Sequence, residues 1–231
     1  AVDVAAGWGV DSRFTTWDRV GIIATTTPES PPGVVHRYNN HGYVLLAAVV
    51  ERATGNRFGE FVEHAVLAPA GMTSSRFIDT DGPSPVSGWS GGTRRIDIQF
   101  RCCGDGGLLS TIDDLARWNH WLPGSNLGPV MLTERPVLPD GSFAHDAWGI
   151  SMRQHRGLRI ESHGGSIDGY TASFVRFPTE DLAIIVLANT DQFGVSNFGN
   201  RVEELMDSLL GNRIDRSRPP WTQTHGKPLV D

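Results

Sequence analysis

The strongest pattern in the chain is a pair of apolar segments around a short polar break. Leu182–Ala188 is an unbroken apolar run of strand length, and Thr171–Phe177 is rich in β-branched and aromatic residues. Pro178-Thr179-Glu180-Asp181 between them is turn material. The pattern predicts an antiparallel hairpin at the centre of a sheet, with Leu182–Ala188 covered on both faces. Trp148–Gln154 and Leu158–Ser162 read as two more strands, joined through Gly157 and leading into that hairpin. His163-Gly164-Gly165 follows at the end of the second of these short strands. Glycines carry no Cβ, so another chain or a substrate can lie against an open strand edge there, beside a titratable ring.

Helical spacing dominates the first half. Apolar positions 43, 46, 47, 50 and 53 predict a helix from Tyr43 to Ala53, with Gly55 as its stop. Leu45 and Val49 are apolar as well, which predicts a helix covered all round. Asn56 can cap a second helix with the stripe Phe58, Phe61, Val62, Ala65 and Val66, closed by Pro69 and Gly71. Residues 1–33 are weakly patterned, and residues 79–107, full of Gly, Pro, Ser and Asp, read as loop. Ser110 and Thr111, each three before an aspartate, cap a helix running through Leu122 to Pro123-Gly124. Val202, Leu205, Met206, Leu209 and Leu210 make an amphipathic last helix that Gly211 ends.

Helices first, then an antiparallel sheet, then a last helix is the α+β class: an antiparallel β-sheet flanked by helices, with a helical subdomain. Residues 1–231 form one domain in this reading. Its helical subdomain covers 1–125, the sheet and last helix 140–211, and a poorly tied tail 212–231.

Composition narrows the function classes. A hydrophobic fraction of 39% and a charged fraction of 20% suit a soluble globular protein. A formal charge of −6 leaves no nucleic-acid footprint. No apolar run approaches the ~20 residues a membrane span needs. The first residues lack the basic and apolar regions of a signal peptide, and Ala1 is not expected to be the start of translation. Cys102 and Cys103 are adjacent, which favours buried or free thiols over a disulfide. The eight histidines include no His-x-x-x-His or His-Glu-x-x-His, so zinc is not expected, and the reading as a whole implies no metal or organic cofactor.

Two stretches could carry chemistry. One is the polar turn from Pro32 through Tyr38-Asn39-Asn40-His41-Gly42 into the first predicted helix, and the other is His163-Gly164-Gly165-Ser166. Each has a plain reading: Tyr38 as a turn residue, Asn40 as a helix cap, His163 as a satisfied strand-end histidine. Trp118 and Trp121 read as core, and Asp113 and Asp114 as first-turn helix residues. Gly88-Trp89-Ser90-Gly91-Gly92 fits Gly-x-Ser-x-Gly, which would make Ser90 a nucleophile. That motif needs a strand before it and a helix after it, and neither is predicted.

Five motifs in order resemble the penicillin-recognising serine hydrolases, the family of class C β-lactamases, D-alanyl-D-alanine carboxypeptidases and related esterases. They are Tyr38-x-Asn40 with Gly42-Tyr43-Val44-Leu45-Leu46, then Thr54-Gly55, Pro69-Ala70-Gly71-Met72, Gly106-Gly107-Leu108-Leu109-Ser110-Thr111-x-x-Asp114-Leu115, and His163-x-Gly165. The resemblance covers roughly Pro32 to Asn189. It implies a serine hydrolase acting on an ester or amide through an acyl-enzyme, with a small-molecule or peptide substrate. Tyr38 would pass protons between the nucleophile and the leaving group, and Asn40 would hold substrate. His163 would stand where the family has the lysine of Lys-Thr-Gly. Gly165 would leave room for substrate, and the Ser166 N–H would be an oxyanion donor. Tyr38 and His163 would then converge on a common cleft. A tyrosine is a poor base near its ordinary pKa of ~10 until nearby cations favour the phenolate.

The family's nucleophile is the serine of Ser-x-x-Lys, and this chain has none. Its one lysine is Lys227, and position 224 is Thr224. The motif is expected before Ala1 or on a partner chain, and these residues alone are expected to be inactive. A partner chain or an N-terminal segment would also complete the sheet by pairing its exposed edge. The alternative is a catalytically silent module that binds a peptide or peptidoglycan-like ligand in the same groove.

Overall fold

The computed structural model describes residues 15–80, 86–95, 104–144, 146–167, 169–192, 202, 204–215 and 217. Cys102-Cys103 and the tail beyond 217 lie outside them. The described residues fall into two compact units. The first draws on Ala1–Pro28, Tyr38–Pro85 and Ile96–Ser110, the second on Glu29–Arg37, Val86–Arg95 and Thr111–Asp231.

The first unit is mainly helical. Helix α1, Thr16–Ile23, starts at a capping box in which Thr15 Oγ1 accepts from Asp18 N and Asp18 Oδ2 accepts from Thr15 N. Helix α2, Asn40–Thr54, stops at Gly55, whose φ of 74° is a left-handed conformation that favours glycine. Its cap is Asn39: the side-chain Oδ1 accepts from Gly42 N at 3.1 Å, so the capping role considered for Asn40 falls one residue earlier. Val44, Ala47 and Ala48 are buried. Leu46 and Val49 stand 58% and 62% exposed, so α2 is not covered all round. Helix α3, Phe58–Val62, continues into a π-helical turn, Glu63–Leu67. Arg57, rather than Asn56, holds its N-cap position. Strands β1 (Arg76–Phe77) and β4 (Leu108–Leu109) pair with each other from either side of the stretch 79–107 read as loop. Glu63 ties the π-turn to β1 by accepting from Phe77 N and Thr80 Oγ1.

The second unit holds the sheet. Strands β2 (Gly88–Ser90) and β3 (Thr93–Arg95) form a separate hairpin around Gly91-Gly92. This removes the Ser90 alternative, because Ser90 leads into a β-turn and a strand, whereas a nucleophile elbow leads into a helix. Helix α4, Ile112–Trp121, begins at Thr111, whose Oγ1 accepts from Asp114 N, and α5 covers Gly128–Thr133. Although α4 lies in the stretch 1–125 read as a helical subdomain, it belongs to this unit and packs against the sheet's last strand.

The main sheet has the order β5-β6-β7-β8-β9, antiparallel throughout, from Asp146–Ala147, Ile150–His155, Leu158–Ile167, Tyr170–Phe177 and Leu182–Ala188. Arg156 and Gly157, both with positive φ, make the two-residue turn between β6 and β7. One face buries Ile160, Val175, Phe177 and Ile184 against Val202, Met206, Leu210 and Ile214, the first three of which lie in the last helical stretch. The hairpin at 170–188 forms as the β-branched segment, the turn and the apolar run predict, but not at the sheet's centre. Strand β9 is the outermost of the five, only its Ile184 is buried, and Leu187 is exposed. An edge strand pairs with a neighbour on one side only, so an apolar run alone does not place a strand at the centre.

Candidate active site

Strand β7 changes character along its length. Leu158–Ser162 pairs with β6 on one side and β8 on the other. The β6 register stops at Ser151 opposite Ser162, while β8 goes on to pair His163–Ile167 through Phe174, Ser173, Ala172, Thr171 and Tyr170. His163 therefore lies inside a ten-residue strand, not at the end of a short one. The β6 pairing thus ends at Ser162, and all five residues from 163 to 167 are exposed. Between Gly164 and Ile167, alternate residues turn their N–H and C=O away from β8, and these are strong hydrogen-bonding groups that a ligand can meet.

Side-chain alternation sorts the site. His163 and Gly165 share a face with Arg159 and Glu161, opposite to the core face that carries Ile160. Ser166 points to the core-side face, so its backbone, not its hydroxyl, is what the open edge offers. A Cβ built on Gly165 would meet only the Cβ of Ala172, at 3.9 Å. The fold itself thus does not require glycine at 165, and the space above it is open.

Behind His163 on that face lies a buried ionic cluster. Glu161 is 1% exposed and sits 2.7 Å from Arg159 Nη2 and 3.3 Å from Arg176 Nε. Register puts Arg176 directly across from Glu161. Burial pulls the Arg176 guanidinium below its ordinary value; Glu161 opposes that and the charge of Arg159 adds to it. Arg159 also donates to the Leu132 carbonyl at the end of α5. At the far end of β6, buried His155 Nε2 meets Asp207 Oδ1 at 2.7 Å, and Arg156 holds the same carboxylate at 3.0 Å. These clusters fix the ends of β6 and β7 to neighbouring elements. Trp118 and Trp121 lie half-buried with ring centroids 5.4 Å apart, as core-side residues of α4 do.

In the first unit, Tyr38 sits two residues ahead of α2, in extended chain, with 66% of its surface exposed. Asn40 is the first helical residue and is exposed. With Asn39 serving as cap, the Asn40 side chain is available for another role. Tyr38 and Asn40 are brought together at the helix entrance, and His163, Gly165 and Ser166 at the open edge of β7. Sequence reasoning missed the Arg159–Glu161–Arg176 cluster, whose signal was available. The pairing of β7 with β8 places opposite charges at 161 and 176 face to face.

Comparison with known proteins follows the same lines. The chain is 25% identical over 231 residues to a D-aminopeptidase of Cereibacter sphaeroides, an alignment covering 95% of this chain and 44% of that protein. It thus spans less than half the length of that curated relative. A penicillin binding protein from Bacillus halodurans superimposes with a TM-score of 0.73 at 24% identity, over 88% of this chain and 66% of that one. D-amino acid amidase from Ochrobactrum anthropi SV3, complexed with D-phenylalanine, does so with a TM-score of 0.68 at 18% identity, over 88% and 73%. At such identities the likeness to the solved structures is one of fold, the β-lactamase/transpeptidase-like α+β fold. Residues 5–205 match the model of the Beta-lactamase family, and the chain belongs to that family.

Proposed function

We propose that this chain contributes the proton-transfer and oxyanion-binding residues of a serine hydrolase that cleaves an amide through an acyl-enzyme. The observation that carries the reading is the second half of β7, with an exposed imidazole at 163, open space above Gly165 and a strand held in register by β8 out to Ile167. An acyl-transfer enzyme needs donors fixed where the tetrahedral oxyanion develops. A backbone N–H on a strand held from its other side by β8 is fixed in that sense, and Ser166 N–H takes this role. His163 supplies a titratable group on the same strand. Tyr38, with Asn40 beside it, relays the proton between the serine hydroxyl and the leaving amine.

The relatives named D-aminopeptidase and D-amino acid amidase make an amide of a D-amino acid the substrate class of choice. The 231 residues contain no Ser-x-x-Lys, so the nucleophile comes from polypeptide outside them or from a second chain. That same lack supports the second reading, a silent module that binds a peptide-like ligand along the open strand.

The test is intact-mass analysis of the native protein before and after treatment with a fluorophosphonate, alongside turnover of a D-amino acid amide. The hydrolase reading expects one covalent adduct on a serine and measurable turnover. A native protein that takes no label and turns over no amide, yet binds peptide, establishes the silent module instead.

A further inference from the structure

Strand β6 has a two-residue turn at each end. Trp148-Gly149 links it to β5 and Arg156-Gly157 links it to β7, and all four residues have positive φ. Such turns favour asparagine, aspartate or glycine at the first position, and a bulky residue there is an outlier. Asp181, the other non-glycine residue with positive φ among those described, is of the tolerant type. Arg156 has an anchor, because its Nε reaches Asp207 Oδ1 at 3.0 Å and ties the turn to the last helical stretch. No such anchor explains Trp148. Its φ is 56°, it is 54% exposed, and no described aromatic ring stacks on it.

Register fixes where this turn stands. Ser151 is the last β6 residue opposite β7, across from Ser162. Counting on in the same antiparallel sense brings Ile150, Gly149 and Trp148 level with His163, Gly164 and Gly165. There the chain turns back into β5, on the side of β6 away from β7. The turn therefore lies level with the exposed half of β7, on the order of 5–10 Å to its side, or one to two strand spacings. A ligand that meets the groups turned away from β8 lies beside it. Gly164 and Gly165 present no side chain to such a ligand, and Ile167 adds an exposed apolar one. Backbone strain of this kind clusters at ligand clamps and active sites, where it serves the mechanism. An uncovered indole on a strained turn, at the border of that strand, fits such a clamp.

We propose that Trp148 sets the substrate preference, its indole packing against an aromatic side chain of the D-amino acid amide. The identity of the ligand rests on the hydrolase reading; the contact does not, since a ligand lying along β7 meets the ring whether or not it is cleaved. An indole offers a flat apolar face without charge. Packing a phenyl ring on it in place of a methyl group favours the aromatic ligand about tenfold or more.

The test is calorimetric titration of the native protein and Trp148→Asn with D-phenylalanine and D-alanine, which carry no amide to cleave, alongside thermal unfolding of both proteins. The native protein is expected to bind D-phenylalanine more tightly than D-alanine. Trp148→Asn creates the favoured Asn-Gly turn, so it should melt no earlier than the parent while its preference shrinks about tenfold. An unchanged preference in Trp148→Asn overturns the proposal, as does a native protein that binds neither ligand or both equally. Earlier melting of Trp148→Asn overturns it as well, because the ring would then be structural. Turnover of the two corresponding amides separates this proposal from the hydrolase reading. Binding that depends on Trp148 without turnover keeps the proposal and removes the hydrolase, and turnover of both amides at equal kcat/KM does the reverse.

Discussion

From Leu158 to Ser162, β7 lies between β6 and β8, buries Ile160 against the last helical stretch and locks Glu161 between Arg159 and Arg176. From His163 to Ile167 the same strand continues in register with β8 beyond the β6 pairing, and every residue is exposed. One half satisfies its polar groups within the protein. The other leaves a row of rigidly held groups open, which is what a strand must do to receive a ligand's backbone. Stability and chemistry can therefore be separated along a single element, and mutations should divide at the Ser162–His163 boundary.

The largest stability effect is expected at Glu161. Removing it leaves two arginines crowded together with no carboxylate between them, a loss of roughly 3–5 kcal/mol for a buried pair. Thermal unfolding of Glu161→Ala should show that loss. Two residues on, His163→Ala should unfold within about 0.5 kcal/mol of the parent, as exposed substitutions do. Its turnover should nonetheless fall ~100-fold or more. A His163→Ala protein that melts early would erase the boundary.

Proline sharpens the comparison to single residues. If the Ser166 N–H faces the open side, Ser166→Pro removes no ladder bond, and the variant should melt near the parent temperature. Its turnover should drop about 10²–10³-fold, the cost of one oxyanion donor. Ile167→Pro would then cut a bond to β8 and destabilise the sheet. Reversed behaviour of the two variants would move the donor to a neighbouring position.

At the far end of the sheet the expected effect is smaller and depends on pH. Burial alone would raise the Asp207 carboxyl, but hydrogen bonds from Arg156 and His155 outweigh it and hold the group below its ordinary value. The folded value lies below the unfolded one, so this stabilisation is present above the ordinary carboxylate pKa. It is lost as pH falls through the folded value. Chemical denaturation of Asp207→Asn should accordingly show a flatter dependence on pH than the parent below about pH 4.

The smallest contrast is at α2. Asn39→Ala should cost about 1 kcal/mol by removing a cap, while Asn40→Ala should leave urea unfolding almost unchanged and act on turnover. Equal destabilisation by both would mean that Asn40 is structural after all.

What was legible in the sequence was local. The β-branched run at 171–177, the apolar run at 182–188 and the turn between them specify a hairpin by their own propensities, and Gly55 and Thr111 mark helix ends by their own chemistry. What was not legible depends on neighbours. Leu46 and Val49 share the apolar spacing of α2, but periodicity says which residues align and not what covers them. The same holds for β9, whose run reads as central and lies outermost. For the candidate site, the motif residues were legible one by one. The exposed half that gives His163–Ile167 its meaning comes from the β6 pairing stopping at Ser151, opposite Ser162, a register that no single strand encodes. Asn39 and Asn40 are chemically equal caps, and only the backbone of the first turn selects between them.

The central claim is that Tyr38 and His163 serve one reaction. A double-mutant cycle on kcat/KM for a D-amino acid amide tests it most directly, with the native protein, Tyr38→Phe, His163→Ala and the double variant. Groups that act as a unit are strongly non-additive, so the double variant should be about as slow as the slower single one. Losses that multiply, or a Tyr38→Phe protein that turns over at the parent rate, would contradict the account.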